Sequence, residues 1–301
     1  MARSASDIPR TGLLARLLPP AALPYARLMR ADRPIGTWLL LFPCWWGIAL
    51  ATPGRPSAWL LALFALGAFV MRGAGCTYND IVDRDFDGRV ARTADRPIPS
   101  GAVSVRGALV FLAAQLLAGL AILLTFDATT IALGVASLIL VFTYPLMKRV
   151  TWWPQFFLGL AFNWGALMGW SAVTGGLSAA PLLLYAGGIA WTLGYDTIYA
   201  HQDREDDALV GIKSSARRLG ARTRVALAAF YGLAVLLFAA AGFQAGLGWP
   251  FWIALAAAAA QLAWQAARLD IDQPADCLAK FRSNRFVGWL VLAGIVAGQP
   301  T

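Results

Sequence analysis

Charge is scarce in this chain, and most of what there is lies outside long apolar runs. Only 14% of the 301 residues are charged, 59% are hydrophobic, and the mean hydropathy is +0.61. So few charges cannot clothe a globule in water, so the composition belongs to the membrane class. Histidine is nearly absent (His201 alone), which excludes a histidine-built metal centre. The three cysteines, Cys44, Cys76 and Cys277, are scattered with no C-x-x-C pair, so neither zinc nor a disulfide framework is implied. The first 33 residues are basic but lack an apolar stretch followed by a small-residue cleavage site. They read as a cytoplasmic N-terminal arm, residues 1–33, ahead of a single polytopic domain, residues 34–301.

What is present in quantity is apolar sequence of spanning length. A membrane-crossing helix needs about 20 predominantly apolar residues. Nine segments qualify, near 34–52, 58–78, 104–125, 128–146, 153–173, 181–201, 222–243, 248–267 and 286–299, the last of them short. Thr52-Pro53-Gly54, Asp127, Thr174-Gly175-Gly176 and Gly246-Leu247-Gly248 punctuate them as turns. The longer polar connections are 79–103, 203–221 and 268–285. Twenty-three of the 25 Lys and Arg residues fall on the arm and on alternate loops, one (Arg55) falls on the opposite side, and Arg72 lies within the second segment. By the positive-inside rule this predicts an all-α integral membrane protein of nine transmembrane helices, multi-pass in a cell inner membrane, with its N-terminus and cap loops cytoplasmic. It also accounts for the net charge of +9 as attraction to anionic membrane lipid, with no nucleic acid needed.

Half of the sixteen acidic residues sit in two short runs at the ends of the second and sixth segments. The first is Asn79-Asp80-Ile81-Val82-Asp83-Arg84-Asp85-Phe86-Asp87, and the second is Asp203-Arg204-Glu205-Asp206-Asp207. Ionisable groups near membrane depth are costly and mark function. Positions four apart share a helix face, so Asn79, Asp83 and Asp87 stack along one side, and Asp203 and Asp207 repeat the spacing. Carboxylates crowded in this way repel one another, and a divalent cation relieves the repulsion. Mg²⁺ takes one or two carboxylates and completes its shell with water and phosphate oxygens. Two such aspartate pairs therefore point to a Mg²⁺-bridged diphosphate, with solvated loop charge as the plain alternative for any one of them.

The neighbouring cations fit an anionic ligand. Arg84, Arg89, Arg92 and Arg96 follow the first run, Lys213, Arg217 and Arg218 follow the second, and Lys148 and Arg149 stand beside Tyr144. Arg and Lys clamp phosphate oxygens well, although Arg217 and Arg218 also read as ordinary loop charges. Arg72 lies two turns before Asn79, deeper in the apolar segment, and a buried guanidinium requires an anionic partner. Two partners stay open: Asp196, seven residues before Asp203, or the carboxylate of a small aromatic acid. Gly73 and Gly75 beside it permit close approach by a helix or a ligand. His201 is off the Asp203/Asp207 spacing and reads as structural.

Taken together, the motifs closely resemble those of the UbiA superfamily of intramembrane prenyltransferases, over about residues 25–299. The resemblance rests on Arg33-Pro34-Ile35-Gly36-Thr37-Trp38, on Arg72-Gly73-Ala74-Gly75-Cys76-Thr77-Tyr78-Asn79-Asp80 running into Asp83 and Asp87, and on Arg96-Pro97-Ile98-Pro99-Ser100-Gly101. Thr143-Tyr144-Pro145-Leu146-Met147-Lys148-Arg149, Gly194-Tyr195-Asp196-Thr197-Ile198-Tyr199-Ala200, Asp203 to Asp207 and Gly211-Ile212-Lys213-Ser214 complete it. It implies nine helices ringed around a central cavity open to lipid, with both aspartate motifs at a cytoplasmic mouth. By the same resemblance, Asn79, Asp83, Asp87, Asp203 and Asp207 are the Mg²⁺-binding set. Arg72 matches the position that holds an aromatic acid's carboxylate, while Asn79, Asp80, Tyr144, Lys148 and Lys213 contact substrate near the diphosphate.

The expected reaction is Mg²⁺-dependent transfer of a polyprenyl group from polyprenyl diphosphate to the carbon ortho to the hydroxyl of 4-hydroxybenzoate, in ubiquinone biosynthesis. Asp83, Asp87, Asp203 and Asp207 would act through the metal, and Asp196 would accept the ring proton. Trp164, Trp170, Trp191, Tyr195 and Tyr199 are candidates to steady the allylic cation with their ring faces. Rival readings are another aromatic acceptor, a membrane phosphotransferase (Asp87-Gly88-Arg89-Val90-Ala91-Arg92 fits its motif loosely), and a cation-coupled transporter. A transporter would place its key charges at the midplane in broken helices, and here only Arg72 and Asp196 lie deep.

Overall fold

A computed structural model describes residues 8, 13–88, 93–209 and 211–300. Arg89 and Arg92, two of the cations singled out above, lie outside the described residues. Every regular element described is helical: α1 (Leu13–Leu17), α2 (Leu23–Leu28), α3 (Ile35–Ala51), α4 (Ala58–Asp87), α5 (Val105–Leu123), α6 (Ala128–Val150), α7 (Pro154–Asn163), α8 (Gly165–Thr174), α9 (Ala179–Ala200), α10 (Arg204–Leu209), α11 (Ser215–Leu219), α12 (Thr223–Gln244), α13 (Trp249–Arg268) and α14 (Pro274–Gly298). Short 3₁₀ turns at His201–Asp203 and Gly220–Arg222 lead into α10 and α12.

Five of the nine expected spans are long and apolar enough to cross a bilayer: Ala58–Asp87, Val105–Leu123, Ala128–Val150, Pro154–Thr174 and Ser215–Gln244. Ile35–Ala51 is apolar but shorter. The expected segments 181–201, 248–267 and 286–299 fall in α9, α13 and α14, all of 20 residues or more. The last of these departs most from expectation. Residues 274–285 read as polar loop because of Lys280, Arg282 and Arg285, yet they are the first three turns of α14. Lys280 donates to Asp276 at 2.5 Å one turn away, and the Arg285 guanidinium lies over the Phe286 ring. Side chains satisfied along one helix look, in sequence, like a loop.

The described residues divide into two compact units: Met1–Thr37 with Leu66–Ile122, and Trp38–Ala65 with Leu123–Thr301. In the first, Leu28, Ile98, Val103 and Ala108 form a buried cluster, joined by Tyr25, Ile81 and Phe111. In the second, α3 and α8 approach closely enough for glycine to be obligatory. A Cβ on Gly47 would strike the Ala166 carbonyl, and one on Gly169 the Cys44 carbonyl. Such contacts between backbones are how helices associate where lipid removes the hydrophobic drive. The second unit's core also holds a hydrogen-bonded string. Trp191 Nε1 donates to Asn284 Oδ1 (2.8 Å), Asn284 Nδ2 to Gln265 Oε1 (3.3 Å), and the Tyr231 hydroxyl to the same oxygen (2.8 Å). Polar groups at such depth have no water to turn to and must pair with one another. Meanwhile Val110, Ile139, Leu236 and Phe243 are exposed, as a lipid-facing surface requires.

Candidate active site

The first acidic run is helical throughout: α4 extends to Asp87, and the Gly88 N–H returns to the Arg84 carbonyl at 3.3 Å. At about 100° per residue, Asn79, Asp83, Asp87 and Asp80 cover a single arc of about 100° in that order. Asp80 and Asp83 are fully buried and Asp87 nearly so, while Asn79 is half-buried. The Asp80 edge of the arc is held by arginine. Arg30 Nη2 reaches Asp80 Oδ1 at 2.7 Å, and Arg96 Nη1 bridges Asp80 Oδ1 (3.3 Å) and Asp87 Oδ2 (2.8 Å). Asp80 therefore sits in an arginine clamp, and Asp87, expected on the metal, shares Arg96 with it.

Arg30 was missed in the sequence, where it passes as one more charge of a basic arm. Its backbone is the signal. The Arg30 N–H bonds to the Arg27 carbonyl (3.1 Å) and the Ala31 N–H to the Ala26 carbonyl (3.0 Å), which closes α2 in a Schellman motif. The residue after the C-cap then takes φ +61°, and Arg30 is the one non-glycine with positive φ among the described residues. That conformation costs an L-residue about 1–2 kcal/mol, so glycine is the usual choice there.

Arg72 belongs to the same unit. Its guanidinium lies against Gly36 at the start of α3, where a Cβ would stand 2.6 Å from Nε and 2.9 Å from Nη2. Of the two flanking glycines, Gly73 is covered by Gln115 and Met29, whereas Gly75 has nothing within 4 Å.

The second acidic run differs from the sequence expectation. The α9 helix stops at Ala200, Asp203 ends a 3₁₀ turn, and Asp207 lies in α10, so the four-residue spacing does not ride on one continuous α-helix. Asp196 lies within α9, half-buried, in the same unit as this run and in the other unit from Arg72. Both Asp203 and Asp207 are half-buried.

Around the second run, the 211–214 turn docks on the end of α6. Lys213 N donates to the Lys148 carbonyl (2.9 Å), Lys213 Nζ to the Val150 carbonyl (3.1 Å), and Ile212 N to the Asp207 carbonyl (2.9 Å). The end of α6 that carries Lys148 is thus brought against the turn that follows the second acidic run, and the Lys213 ammonium caps that helix end. Arg217 donates to the Ile212 carbonyl within this turn and lies over Trp152. His201 is buried with Nε2 2.9 Å from Thr223 Oγ1, the structural seat expected of it. Trp191 and Tyr195 are fully buried and stack edge-on at 5.0 Å, so they serve packing and not a cation. Tyr199 packs on Phe281 at 4.6 Å.

The donors suit Mg²⁺. All are hard oxygens from carboxylates and one amide. The described residues contain no group of three acidic, His or Cys side chains gathered as a cage. Mg²⁺ does not require one, because it keeps water and phosphate oxygens as most of its ligands.

Comparison with known proteins settles the lineage. The UbiA prenyltransferase family profile matches residues 40–291. The chain belongs to the UbiA prenyltransferase family. This membership excludes the transporter and phosphotransferase readings. A Caenorhabditis elegans protein named 4-hydroxybenzoate polyprenyltransferase, mitochondrial, is 50% identical over 97% of this chain and 83% of its own length. The Homo sapiens protein of the same name is 51% identical, over 92% and 75% respectively. Among solved structures of the family, a UbiA homolog from Aeropyrum pernix K1 superposes with TM-score 0.75 at 29% identity, covering 86% of this chain and 96% of that one. A UbiA homolog from Archaeoglobus fulgidus bound to GPP and Mg²⁺ shares the fold, with TM-score 0.67 at 20% identity over 91% and 99%. These relatives correct one expectation. Those at about half identity are named mitochondrial, so placement in a bacterial inner membrane with cytoplasmic arm and mouth does not stand. Charge asymmetry orders the two sides of a membrane; it does not say which membrane.

Proposed function

We infer that this protein is a 4-hydroxybenzoate polyprenyltransferase, which moves a polyprenyl group from its diphosphate to the ring carbon ortho to the hydroxyl, for ubiquinone synthesis. The observation that carries this is identity of 50% over 97% of the chain to a protein of that name. In the reaction the allylic C–O bond breaks, a ring carbon–carbon bond forms, and the ring proton and diphosphate leave. Asn79, Asp83, Asp87, Asp203 and Asp207 are the residues that would hold Mg²⁺. Bound there, it supplies Lewis-acid stabilisation of the diphosphate leaving group. Tyr144 and Lys148 donate to phosphate oxygens beside the second run. Arg72, seated on Gly36, holds the acceptor carboxylate and so orients the ring. Asp196 accepts the ring proton, and apolar walls keep water from quenching the allylic cation. We read residues 34–301 as one domain of nine spans, with 1–33 as its arm and the polyprenyl tail among membrane lipid.

The test is prenylation of 4-hydroxybenzoate by purified protein in liposomes with polyprenyl diphosphate and Mg²⁺. Wild type should form the 3-prenyl product, and EDTA or Asp83→Ala should abolish it. Arg72→Ala should chiefly raise KM for the acceptor, by tenfold or more. Diphosphate release with a different aromatic acid and none with 4-hydroxybenzoate would overturn the acceptor assignment.

A further inference from the structure

Two costly choices meet at one point in the first unit. Arg30 occupies the left-handed position that closes α2, where a glycine would sit without strain. Asp80, its partner, is a fully buried carboxylate, and Oδ2 has no hydrogen-bond partner among the described residues. An apolar residue at 80 with glycine at 30 would fold at least as well, since buried ion pairs seldom stabilise relative to well-packed apolar groups. Strain kept in place by surrounding contacts tends to mark function. The neighbours of the pair show which function it serves. Asp80 lies between Asn79 and Asp83 on the arc proposed to hold Mg²⁺. Its Oδ1 is shared with Arg96, whose same Nη1 reaches Asp87. The chain Arg30–Asp80–Arg96–Asp87 is therefore continuous, with links of 2.7, 3.3 and 2.8 Å.

We propose that Arg30 is a positioning residue for the diphosphate end of the site, acting through Asp80 and Arg96 to set the last two turns of α4. By occupying Asp80, Arg30 leaves Arg96 available to hold Asp87 in place. Without Arg30 the buried Asp80 charge draws Arg96 to itself, and the Asn79–Asp87 turn loses its register. Asp80 is in this view a strut and not a metal ligand. Arg30 differs from Arg72 in what it serves: Arg72 faces Gly36 and the acceptor, whereas Arg30 serves the metal and diphosphate. The inference rests on the proposed Mg²⁺-diphosphate role of the α4 run.

The test uses Arg30→Gly, which relieves the backbone strain while deleting the guanidinium, and the melting curve of the unliganded variant shows whether the fold is kept. Full-length protein in detergent is assayed for KM of prenyl diphosphate and of 4-hydroxybenzoate. Independently of turnover, the melting temperature is followed with Mg²⁺ and inorganic diphosphate, because a ligand that binds only the folded state raises it. The expected result is a rise of tenfold or more in KM for prenyl diphosphate, KM for 4-hydroxybenzoate within twofold of wild type, and a diminished melting shift. Arg30→Lys should recover part of both. Asp80→Asn should resemble Arg30→Gly, and the double variant should be no worse than either, as expected of residues acting in one chain. If Asp80→Asn and Arg30→Gly leave KM for prenyl diphosphate and the melting shift at wild-type values, the inference is overturned. A wild type that shows no melting shift and no Mg²⁺-dependent turnover overturns the proposed function first, and this inference with it.

Discussion

At the scale of single residues, the site is shaped as much by what is missing as by what is present. Gly36 has no side chain, and the space is taken by the Arg72 guanidinium, at 2.6 Å from where a Cβ would stand. A methyl group there meets the end of a flexible side chain, not backbone, so the helix stays and the guanidinium moves. Gly36→Ala should therefore melt no lower than wild type, while KM for 4-hydroxybenzoate rises roughly tenfold, since small misplacements of a positioning group weigh heavily. Steady-state kinetics beside a melting curve separates the two effects. An unchanged KM would mean that Arg72 does not hold the acceptor. The residue types of the site could be read from the sequence because acid and base are so rare in this chain. Arg30 could not, because its backbone angle and its partner 50 positions away are not written in its neighbours.

At the scale of elements, helix ends decide where functional side chains point. Asp127 opens α6, the helix that carries Tyr144 and Lys148. Its Oδ1 accepts from Thr129 N (2.9 Å) and Thr130 N (3.1 Å), and its Oδ2 from the Thr130 hydroxyl (2.6 Å). The Thr130 hydroxyl in turn lies 2.8 Å from Ser171 Oγ on α8. The Thr130 hydroxyl above all holds the Asp127 carboxyl below its usual range; burial opposes it, and the Thr130 and Thr129 N–H groups reinforce it. Asp127→Ala should cost about 1 kcal/mol, the usual worth of an N-cap. A folded-state pKa below the unfolded one means that this stabilisation is present above about pH 4 and fades as pH falls through the lower, folded value. Melting of wild type and variant at pH 7 should differ, and the difference should close under strong acid. The sequence located Asp127 as a turn; its three bonds to Thr129 and Thr130 appear only in the structure. The same limit explains the second acidic run, where even spacing suggested one helix and the chain instead changes winding at His201–Asp203.

At the scale of the whole molecule, the count of membrane crossings can be tested directly. Between Arg55 and Gln273 the nine-span reading places seven crossings, so the two lie on opposite sides of the membrane. Both are exposed, and the native Cys44, Cys76 and Cys277 are all buried, which keeps the background low. In sealed vesicles an impermeant maleimide should label Arg55→Cys or Gln273→Cys but not both, and permeabilisation should release the other. Labelling of both from outside would remove one crossing between them.

The sequence by itself determined that the chain is helical and membrane-borne, which family it resembles, and which residue types carry the chemistry. These follow from local properties: apolar run length, charge placement and short motifs. Only the tertiary structure decided that Asp80 and Asp87 share Arg96 with Arg30 behind them, that Lys213 caps α6, and that Trp191 and Tyr195 are core. It also turned an expected loop, 274–285, into helix. The arginine chain, the Lys213 cap and the core aromatics depend on partners distant in sequence, and at membrane depth a polar group must find such a partner because water is absent. The 274–285 helix rests instead on a pair one turn apart, whose charges read in sequence as loop.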